Sequence, residues 1–357
     1  MRILICNWKD LAHPLAGGAE VWTHGVASAW VRTGHEVTLA CSSAPGLTSF
    51  DQRDGVRIER GGDYRLGVHA HARRVYRRND GDFDLVLDEI NTRPFRAPRW
   101  ATKSRVVGFV HQVAREVWFH ETPLPIATLG RFVLEPMWLR DYVSTPIYTP
   151  SVSSAESLGT YGLAHAVALP QGSDIGPVPA VPTPKASQPT FVFVGRLSAM
   201  KRPLDALRAF AIVRRSVPSA RLWILGRGPE EARLRRHAAG LDGVEILGHL
   251  PTAERDERLS LAHALVATSV REGWGLVVSE AAAMGTGAIG YDVPGLRDSI
   301  RATGGVLVPA RIDDLAAAMS RVARDPARAP RPGATGTVPF AEVAALLLER
   351  AAVSARA

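Results

Sequence analysis

The stretch TFVFVGRLSAMKRPLDALRAF, residues 190–210, joins an apolar run to a helix-like run through a loop that contains Gly195, Arg196 and Lys201. Residues 190–194 are apolar or β-branched, which is typical of a buried parallel strand. Pro203 suits the first turn of a helix, and apolar residues recur at helical spacing after it. The stretch therefore predicts a strand–loop–helix unit, the repeating element of a parallel α/β sheet.

The same alternation continues on both sides of this unit. Towards the C terminus, strand-like runs at 220–226, 244–250, 265–270 and 287–291 are separated by helix-like runs at 229–240, 254–264 and 275–285. Towards the N terminus, the strand-like runs are 2–6, 36–41, 83–90 and 104–111, with a helix-like run at 19–34. Strand, helix and strand in succession predict a doubly wound α/β domain in each half of the chain.

The chain has 357 residues, which is too long for one ordinary core. Residues 174–189 contain five prolines and almost no periodic apolar signal, as a semi-rigid linker does. We predict a first Rossmann-like domain at 1–173, a linker at 174–189 and a second Rossmann-like domain at 190–335. The remaining residues, 336–357, predict a separate helix that is free to pack on the first domain.

Composition narrows the class of protein. Hydrophobic residues make up 46% of the chain and charged residues 22%, and no apolar run approaches the roughly 20 residues of a spanning helix. We expect a cytoplasmic protein with two buried, reduced thiols, Cys6 and Cys41. The net charge of +8 suits nucleic acid, an anionic membrane or an acidic substrate, although arginine that merely covers solvated faces explains it equally well.

The loop at 195–202 is a candidate anion site. Arg196 lies at the end of a predicted strand and Lys201 just before a predicted helix, whose N-terminal amides favour negative charge. Only four of the 43 basic residues are lysine, and a compact ammonium can follow a phosphate as it leaves. The pair predicts a phosphate or diphosphate site, with two solvated cations beside a turn as the alternative.

The second candidate stretch is REGWGLVVSE, residues 271–280. Gly273 and Gly275 allow a ligand to approach the backbone N–H groups at the start of a predicted helix. Glu272 and Glu280 are eight residues apart, and ionised carboxylates accept hydrogen bonds from the hydroxyls of a ribose or hexose. The alternative is one capping and one surface glutamate.

Three segments together resemble the family 4 glycosyltransferases: 13–39 (HPLAGGAEVWTHGVASAWVRTGHEVTL), 194–207 (VGRLSAMKRPLDAL) and 271–290 (REGWGLVVSEAAAMGTGAIG). The resemblance implies a retaining, nucleotide-sugar-dependent enzyme of the GT-B fold, in which two doubly wound Rossmann-like domains face a central cleft. It implies that Arg196 and Lys201 bind the donor diphosphate, that Glu280 holds the ribose and that Glu272 faces the transferred sugar. In the second domain the implied donor-site residues are Gly195, Arg196, Lys201, Arg255, Glu272, Gly273, Trp274, Gly275, Leu276, Val277 and Glu280.

In the first domain the resemblance implies that Gly17 and Gly18 form a glycine-rich loop and that His111 lies near the sugar. The residues implied to act in catalysis are therefore His111, Glu272, Arg196 and Lys201. Some positions depart from the family pattern, among them Arg227 where an acidic residue is usual and Gly287 where proline is common. Asp88 and Glu89 stand where many relatives have a histidine-containing segment.

We predict no metal and no cofactor other than the UDP-, GDP- or dTDP-linked sugar as co-substrate. Asp82-Phe83-Asp84 has the spelling of a metal-binding DxD motif, but it opens a predicted strand, so a turn is the better interpretation. No cluster of His, Cys and carboxylates in the sequence has ligand spacing.

The expected function is transfer of a hexose-type sugar to an acceptor hydroxyl on a polysaccharide, a glycolipid or a small molecule. Arginine and aromatic residues at 69–80, 93–100 and 115–125 suggest the acceptor side and the hypothesis of peripheral membrane contact, which cosedimentation with anionic vesicles tests. The alternatives are a GT-B epimerase and a non-catalytic basic binding protein. No nucleic-acid motif is present, neither domain has G-x-G-x-x-G after its first strand, and oligomeric state stays open.

Overall fold

The computed structural model describes residues 1–181 and 184–353, which form two compact units. Unit 1 comprises Met1–Arg115, Thr128–Asp174 and the described part of Thr337–Ala357; unit 2 comprises Glu116–Ala127 and the described part of Ile175–Gly336. Pro182 and Thr183 of the predicted linker, and residues 354–357 of the predicted terminal helix, lie outside the described residues.

One segment of the first half is placed differently from the sequence-based boundaries. Residues 116–127 belong to unit 2, although the sequence placed them in the N-terminal domain. Glu116 Oε2 accepts a hydrogen bond from Arg271 Nε at 3.1 Å, and Glu121 Oε1 accepts one from the backbone N–H of Met200 at 3.1 Å. These contacts join residues far apart in sequence, so no local pattern could reveal them.

The first half of the chain, to residue 174, alternates strands and helices. The strands are β1 Arg2–Cys6, β2 Glu36–Cys41, β3 Phe50–Arg53, β4 Val56–Arg60, β5 Leu85–Asn91, β6 Arg105–Gln112, β7 Ile147–Thr149 and β8 Val167–Ala168. The helices are α1 Gly18–Arg32, α2 Gly67–Arg78, α3 Trp118–Glu121, α4 Leu124–Leu129, α5 Glu135–Leu139 and α6 Val152–Gly159, with a π-helical turn at Gly130–Leu134.

The eight strands of unit 1 form one sheet in the order β3-β4-β2-β1-β5-β6-β7-β8. All neighbours are parallel except the β3–β4 pair, which is antiparallel. β1 is almost entirely apolar because helices cover both of its faces: Ile3 and Ile5 pack on one side, Leu4 and Cys6 on the other. The central strands therefore hold the core, and their carboxyl ends are left to carry polar groups.

The second half of the chain repeats this plan. Its strands are β9 Thr190–Val194, β10 Arg221–Leu225, β11 Val244–Gly248, β12 Ala264–Ala267, β13 Ala288–Tyr291 and β14 Val306–Val308. Its helices are α7 Pro203–Ser216, α8 Glu231–Ala238, α9 Thr252–Leu261, α10 Leu276–Ala283, α11 Leu296–Thr303, α12 Ile312–Arg324 and, in unit 1, α13 Phe340–Val353.

The six strands of unit 2 run in the order β11-β10-β9-β12-β13-β14, and every pair is parallel. Numbered within the unit, this order is 3-2-1-4-5-6, the order of a doubly wound Rossmann-like sheet. The predicted fold class, two Rossmann-like α/β sheets, is confirmed. In such sheets ligands bind beyond the carboxyl ends of the strands where the order reverses, which in unit 2 is between β9 and β12.

Lys185, in the described end of the linker, is a structural lysine of unit 2. Its Nζ donates to the carbonyl oxygens of Ser260 at 2.8 Å and Gly285 at 3.0 Å, and to Thr286 Oγ1 at 2.7 Å. Burial lowers the pKa of Lys185 to about 8. All three ammonium protons are used, and the linker is thereby attached to the ends of α9 and α10.

Helix α13 packs on α1 within unit 1. Trp22, Val26, Ala29 and Trp30 form the buried stripe of α1 at helical spacing. Trp30 Nε1 donates to the carbonyl oxygen of Ala344 at 2.9 Å. The last helix of the chain thus completes the core around the first one.

Phe340 is the main anchor of α13, and we expect Phe340→Ala to lower the free energy of unfolding by about 3–5 kcal/mol. Phe340 is 6% exposed, and a Cβ added at Gly25 or Gly172 would lie 2.4 Å or 2.7 Å from its ring. The ring therefore fills a space that two glycines leave. Urea unfolding followed by tryptophan fluorescence measures the loss.

Val21→Ala is the matched control, since Val21 is 46% exposed on α1 and its truncation should change stability by no more than about 0.5 kcal/mol. An equal, small effect of both substitutions would show that α13 contributes little to unit 1.

Two further expectations concern thiols and membranes. Cys6 and Cys41 are buried free thiols, as predicted, and burial raises the pKa of both. Among the helices that the structure describes, none combines the length and the hydrophobicity needed to cross a bilayer.

Candidate active site

The loop between β9 and α7 begins at Gly195, whose φ of 153° favours glycine. Arg196 follows with an exposed side chain that pairs with no group in the described part of the chain. A 3₁₀ turn, Ala199–Lys201, leads to Arg202 at φ 49°, and Pro203 then starts α7. The side chain of Arg196 can therefore contact a ligand, while the 3₁₀ turn that follows fixes the path of the loop backbone.

Lys201 faces the loop that follows β12. Its Nζ forms an ion pair with Glu272 Oε1, which also accepts a hydrogen bond from Ser269 Oγ at 2.5 Å. Thr268 Oγ1 donates to the carbonyl oxygens of Lys201 and Arg202 at 2.9 Å. The cation predicted for the diphosphate and the carboxylate predicted for the sugar are therefore direct neighbours.

The start of α10 is shaped by glycines. Gly275 caps the helix at φ 93° and ψ 62°, and α10 then begins at Leu276 with Val277 in its first turn. The backbone N–H of Glu272 donates to Pro294 O at 3.0 Å. A Cβ on Gly295 would lie 2.1 Å from the carbonyl oxygen of Glu272, so only glycine allows the β13–α11 segment to lie so close beneath the loop.

Two predicted residues of this loop, Gly273 and Trp274, contact other parts of unit 2. Trp274 Nε1 donates to Ser279 Oγ at 3.0 Å, which ties the loop to α10. Gly273 precedes it and lies 2.9 Å, through its carbonyl carbon, from the Cβ that Gly295 lacks. The Gly-Trp-Gly sequence therefore gives a loop whose tryptophan is an anchor.

Glu280 lies one turn into α10 and pairs with Arg255 of α9. Arg255 NH1 and Glu280 Oε1 are 3.3 Å apart, and Arg255 NH2 also lies 2.8 Å from Asp256 Oδ1. Burial raises the pKa of Glu280, and Arg255 opposes that rise. The structure thus places Arg255 against the predicted ribose-binding carboxylate, shared with Asp256.

The loop after β10 completes the edge of unit 2. The Cβ positions of Gly226 and Gly228 would lie 1.9 Å from Gly195 O and 2.4 Å from Leu197 O, and Leu197 N donates to Arg227 O at 2.9 Å. The β9, β10 and β12 loops therefore meet at one edge of the sheet. Arg227 is exposed at this edge.

In unit 1, Gly17 and Gly18 stand at the N terminus of the 15-residue helix α1. The Gly17 N–H donates to Glu20 Oε2 at 2.7 Å, and Lys9 Nζ lies 3.3 Å from Glu20 Oε1. The glycine loop is thus held by a buried carboxylate of the helix it starts.

His111 is the last residue but one of β6 and contacts a buried carboxylate that was not among the predicted site residues. His111 Nε2 is 3.0 Å from Glu89 Oε2 on β5, and Thr23 Oγ1 of α1 also hydrogen-bonds to Glu89 Oε2. Asn7, directly after β1, donates to Thr23 Oγ1 at 2.8 Å. The unusual Asp88-Glu89 pair was the one sequence signal for this network.

The neighbouring Asp88 has a structural role. Its carboxylate accepts hydrogen bonds from the hydroxyl of Tyr142 and from the backbone N–H groups of Phe95 at 3.1 Å and Ala97 at 2.9 Å. Burial raises the pKa of Asp88 to about 6. Asp88 and Glu89, adjacent in sequence, therefore serve opposite faces of the sheet.

The DxD-like residues lie away from the strand ends described above. Asp84 Oδ2 accepts a hydrogen bond from Arg2 N at 2.7 Å, and Asp82 pairs with the Arg2 guanidinium. Both aspartates hold the turn before β5, at the amino end of the strand. Over residues 1–181 and 184–353 no group of three or more His, Cys, Asp or Glu side chains is arranged to hold a metal ion.

Unit 2 brings most of the predicted site residues to one strand edge: Gly195, Arg196, Lys201, Glu272, Gly273, Trp274, Gly275, Leu276 and Val277, with the Arg255–Glu280 pair on α9 and α10. Unit 1 separately holds Gly17, Gly18 and His111. Two cations, a helix N terminus and acceptor carboxylates at a switch point suit a ligand that has both phosphates and hydroxyls.

The comparisons with known proteins concern the second half of the chain and the fold. Residues 179–337 match the family described as "Glycosyl transferases group 1". Glycogen synthase of Mycobacterium tuberculosis is 34% identical over 177 residues, which cover 48% of this chain and 42% of that protein. The chain thus spans less than half the length of that curated relative.

Solved structures extend the likeness to the whole fold. Sucrose-phosphate synthase from Thermosynechococcus elongatus has a TM-score of 0.77 at 18% identity, covering 99% of both chains. Anabaena HepE, solved in complex with UDP-glucose, has a TM-score of 0.67 at 16% identity, covering 100% of this chain and 98% of that one. The fold of the chain is GT-B.

Proposed function

We propose that this protein is a retaining glycosyltransferase that moves a hexose-type sugar from a nucleotide diphosphate to an acceptor hydroxyl. The observation that carries the proposal is the Lys201–Glu272 pair, one cation and one carboxylate side by side at the switch point between β9 and β12. A diphosphate-linked sugar needs positive charge at its phosphates and hydrogen-bond acceptors at its hydroxyls. The pair offers both at adjacent positions.

Charge stabilisation at the leaving group is the main catalytic contribution that unit 2 offers. When the bond between the sugar and the diphosphate breaks, negative charge grows on the phosphate oxygens, and preorganised cations there lower the barrier. Arg196 and Lys201 supply the two charges. The first-turn amides of α10, at Leu276 and Val277, add the positive end of a helix dipole.

Lys201 must exchange partners when the donor binds. In the structure its ammonium contacts Glu272, and a diphosphate would compete for it. Ser269 Oγ still donates to Glu272 Oε1, so the carboxylate stays in place when the lysine turns away. Glu272 would then accept hydrogen bonds from sugar hydroxyls, while Glu280 would hold the ribose.

The acceptor hydroxyl attacks from the side of the leaving group in this proposal. The new bond forms between the acceptor oxygen and the anomeric carbon as the bond to the diphosphate oxygen breaks, and the diphosphate takes the acceptor proton. No metal and no further cofactor takes part. His111, with Gly17 and Gly18, would orient the sugar rather than act as an obligatory base.

UDP-, GDP- and dTDP-sugars are the donors to test, and the UDP-glucose held by Anabaena HepE makes UDP-glucose the first of them. Thermal stabilisation by one nucleotide sugar, with slow hydrolysis of it in the absence of an acceptor, is the expected result. Mass spectrometry of the released nucleotide identifies the base. Stabilisation by oligonucleotides with no response to any nucleotide sugar would instead favour a basic binding protein.

A further inference from the structure

Glu89 is a fully buried carboxylate that pairs with no lysine or arginine in the described part of the chain. One oxygen, Oε2, takes two hydrogen bonds, whereas Oε1 has no partner among the residues that the structure describes. Burial raises the pKa of Glu89, and the hydrogen bonds from His111 and Thr23 oppose that rise. A buried, half-satisfied carboxylate destabilises a fold, and such a cost is typical of functional sites.

Apart from His111, the charged groups around Glu89 do not offset its negative charge. The Glu20 carboxylate of α1 and Asp88 on the same strand both add negative potential, and Lys9 is paired with Glu20. The Cys6 thiol of β1 also lies close, and its pKa is raised by burial and by both carboxylates. The presence of a buried carboxylate at residue 89 is therefore not explained by a contribution to stability, which leaves its contact with His111 as the reason for it.

Counting protons fixes the direction of that contact. Thr23 has one hydroxyl proton and two acceptors in reach, Glu89 Oε2 and the carbonyl oxygen of Ala19 at 2.8 Å, while Asn7 Nδ2 donates to Thr23 Oγ1. If Thr23 donates to Ala19, the proton between Thr23 and Glu89 lies on Oε2. If Thr23 donates to Glu89, Oε2 is an acceptor. In both cases Oε2 has only a lone pair for His111, so Nε2–H must be the donor.

The imidazole ring of His111 is also held in orientation. Trp22 lies edge-on to it, with ring centroids 5.1 Å apart and planes at 84°, and Phe109 lies 4.9 Å away at 61°. Trp22 and Phe109 stack on each other with ring centroids 3.9 Å apart, so the two aromatic rings beside His111 hold each other in place. Nδ1 is then the one ring nitrogen that no group in the described part of the chain engages.

We propose that Glu89 is a positioning residue that accepts the Nε2–H of His111 and so selects the Nε2–H tautomer of the neutral ring, in which Nδ1 is presented to the ligand as a hydrogen-bond acceptor. For its ligand the inference rests on the proposed function: Nδ1 accepts a hydrogen bond from a hydroxyl of the donor sugar. In that tautomer Nδ1 accepts a hydrogen bond and does not donate one, which suits orientation of a sugar hydroxyl. Glu89 acts only through the histidine.

The tautomer can be measured without any substrate. Protein labelled with ¹⁵N-histidine gives long-range ¹⁵N–¹H correlations that distinguish the two neutral tautomers, and His111→Asn identifies the His111 signals among 11 histidines. At a pH where the ring is neutral, we expect Nε2 protonated and Nδ1 unprotonated in the wild type. A ring protonated on Nδ1 overturns the proposal.

Two substitutions of Glu89 separate positioning from structure. Glu89→Gln keeps an acceptor oxygen and should keep the Nε2–H tautomer, whereas Glu89→Leu removes the acceptor and should give a mixture. Glu59→Leu is the matched control, since Glu59 is an equally buried glutamate of β4 that pairs with Arg57 and Arg78. Identical His111 spectra for wild type and Glu89→Leu overturn the proposal even if activity falls.

Kinetic measurements give a second readout, with the nucleotide sugar that the donor screen identifies. We expect kcat to fall by about tenfold or more in Glu89→Leu with the KM for the nucleotide sugar little changed, and Glu89→Gln to recover most of the loss. Equal losses in both variants would contradict a positioning role. If wild-type protein transfers no sugar, the proposed function fails, while the tautomer result stands on its own.

Discussion

Lys201→Ala should reduce kcat by a factor on the order of 10² to 10³ without loss of the fold, because it removes one preorganised charge from the departing diphosphate. Lys201 is partly exposed, and its backbone is held by Thr268 and by the turn before Pro203, neither of which depends on the ammonium. Initial rates at saturating donor, with thermal unfolding of the same preparations, measure the effect.

Lys103→Ala is the control for the loss of a lysine, since Lys103 lies in unit 1 and its Nζ donates to the carbonyl oxygen of Asp80 at 3.0 Å. Lys201→Arg tests whether the shape of the cation matters, because a guanidinium keeps the charge but replaces a compact ammonium by a planar, forked group. Recovery in Lys201→Arg would mean that charge alone matters there. Wild-type turnover in Lys201→Ala would remove Lys201 from the diphosphate site.

Gly295→Ala should cost about as much activity, although Gly295 carries no side chain and no charge. Its φ is 78°, and an added Cβ would lie 2.1 Å and 2.5 Å from the carbonyl oxygen and carbon of Glu272. The loop would have to move by about 1 Å to relieve the contact, and displacements of that size reduce catalysis by up to about 10²-fold. Donor titration and kcat measure the loss.

The free energy of unfolding should also fall in Gly295→Ala, by about 1–3 kcal/mol, since a non-glycine residue is strained at this φ. Gly333→Ala is the control, because an added Cβ at Gly333 meets nothing within 4 Å. Normal kinetics in Gly295→Ala would indicate that the Glu272 loop tolerates displacement. The close approach of Gly295 would then not be what fixes the position of Glu272.

The alternation of strands and helices was predictable because parallel strands buried on both faces are nearly continuous apolar runs. The β3–β4 hairpin was missed because all four residues of β3 are exposed, so the strand has no apolar side to reveal it. Short polar strands of this kind are typical of sheet edges. Strand detection from sequence therefore worked for the core of each sheet and failed at its margin.

The positions of the candidate site residues were predictable where a single loop supplies them, and were not predictable where several elements meet. Arg196, Lys201 and Glu272 stand in loops that the strand pattern alone locates at the carboxyl edge of the sheet. Glu89 required β5, β6 and α1 to come together before its role could be seen. Arg255 was predicted as a donor-site residue, and only the structure shows that α9 places it against Glu280 and Asp256.

The assignment of residues 116–127 to unit 2 and of α13 to unit 1 means that the chain passes between the units four times, at residues 115–116, 127–128, 174–175 and 336–337. A cut at the proline-rich linker therefore separates neither unit intact. The N-terminal piece would lack the helix that covers α1, and the C-terminal piece would lack the partners of Arg271 and Met200. Exchange of unit 2 between two proteins of this fold would have to carry residues 116–127 with it and leave α13 with unit 1. A chimera joined at the linker alone should therefore expose apolar surface and aggregate.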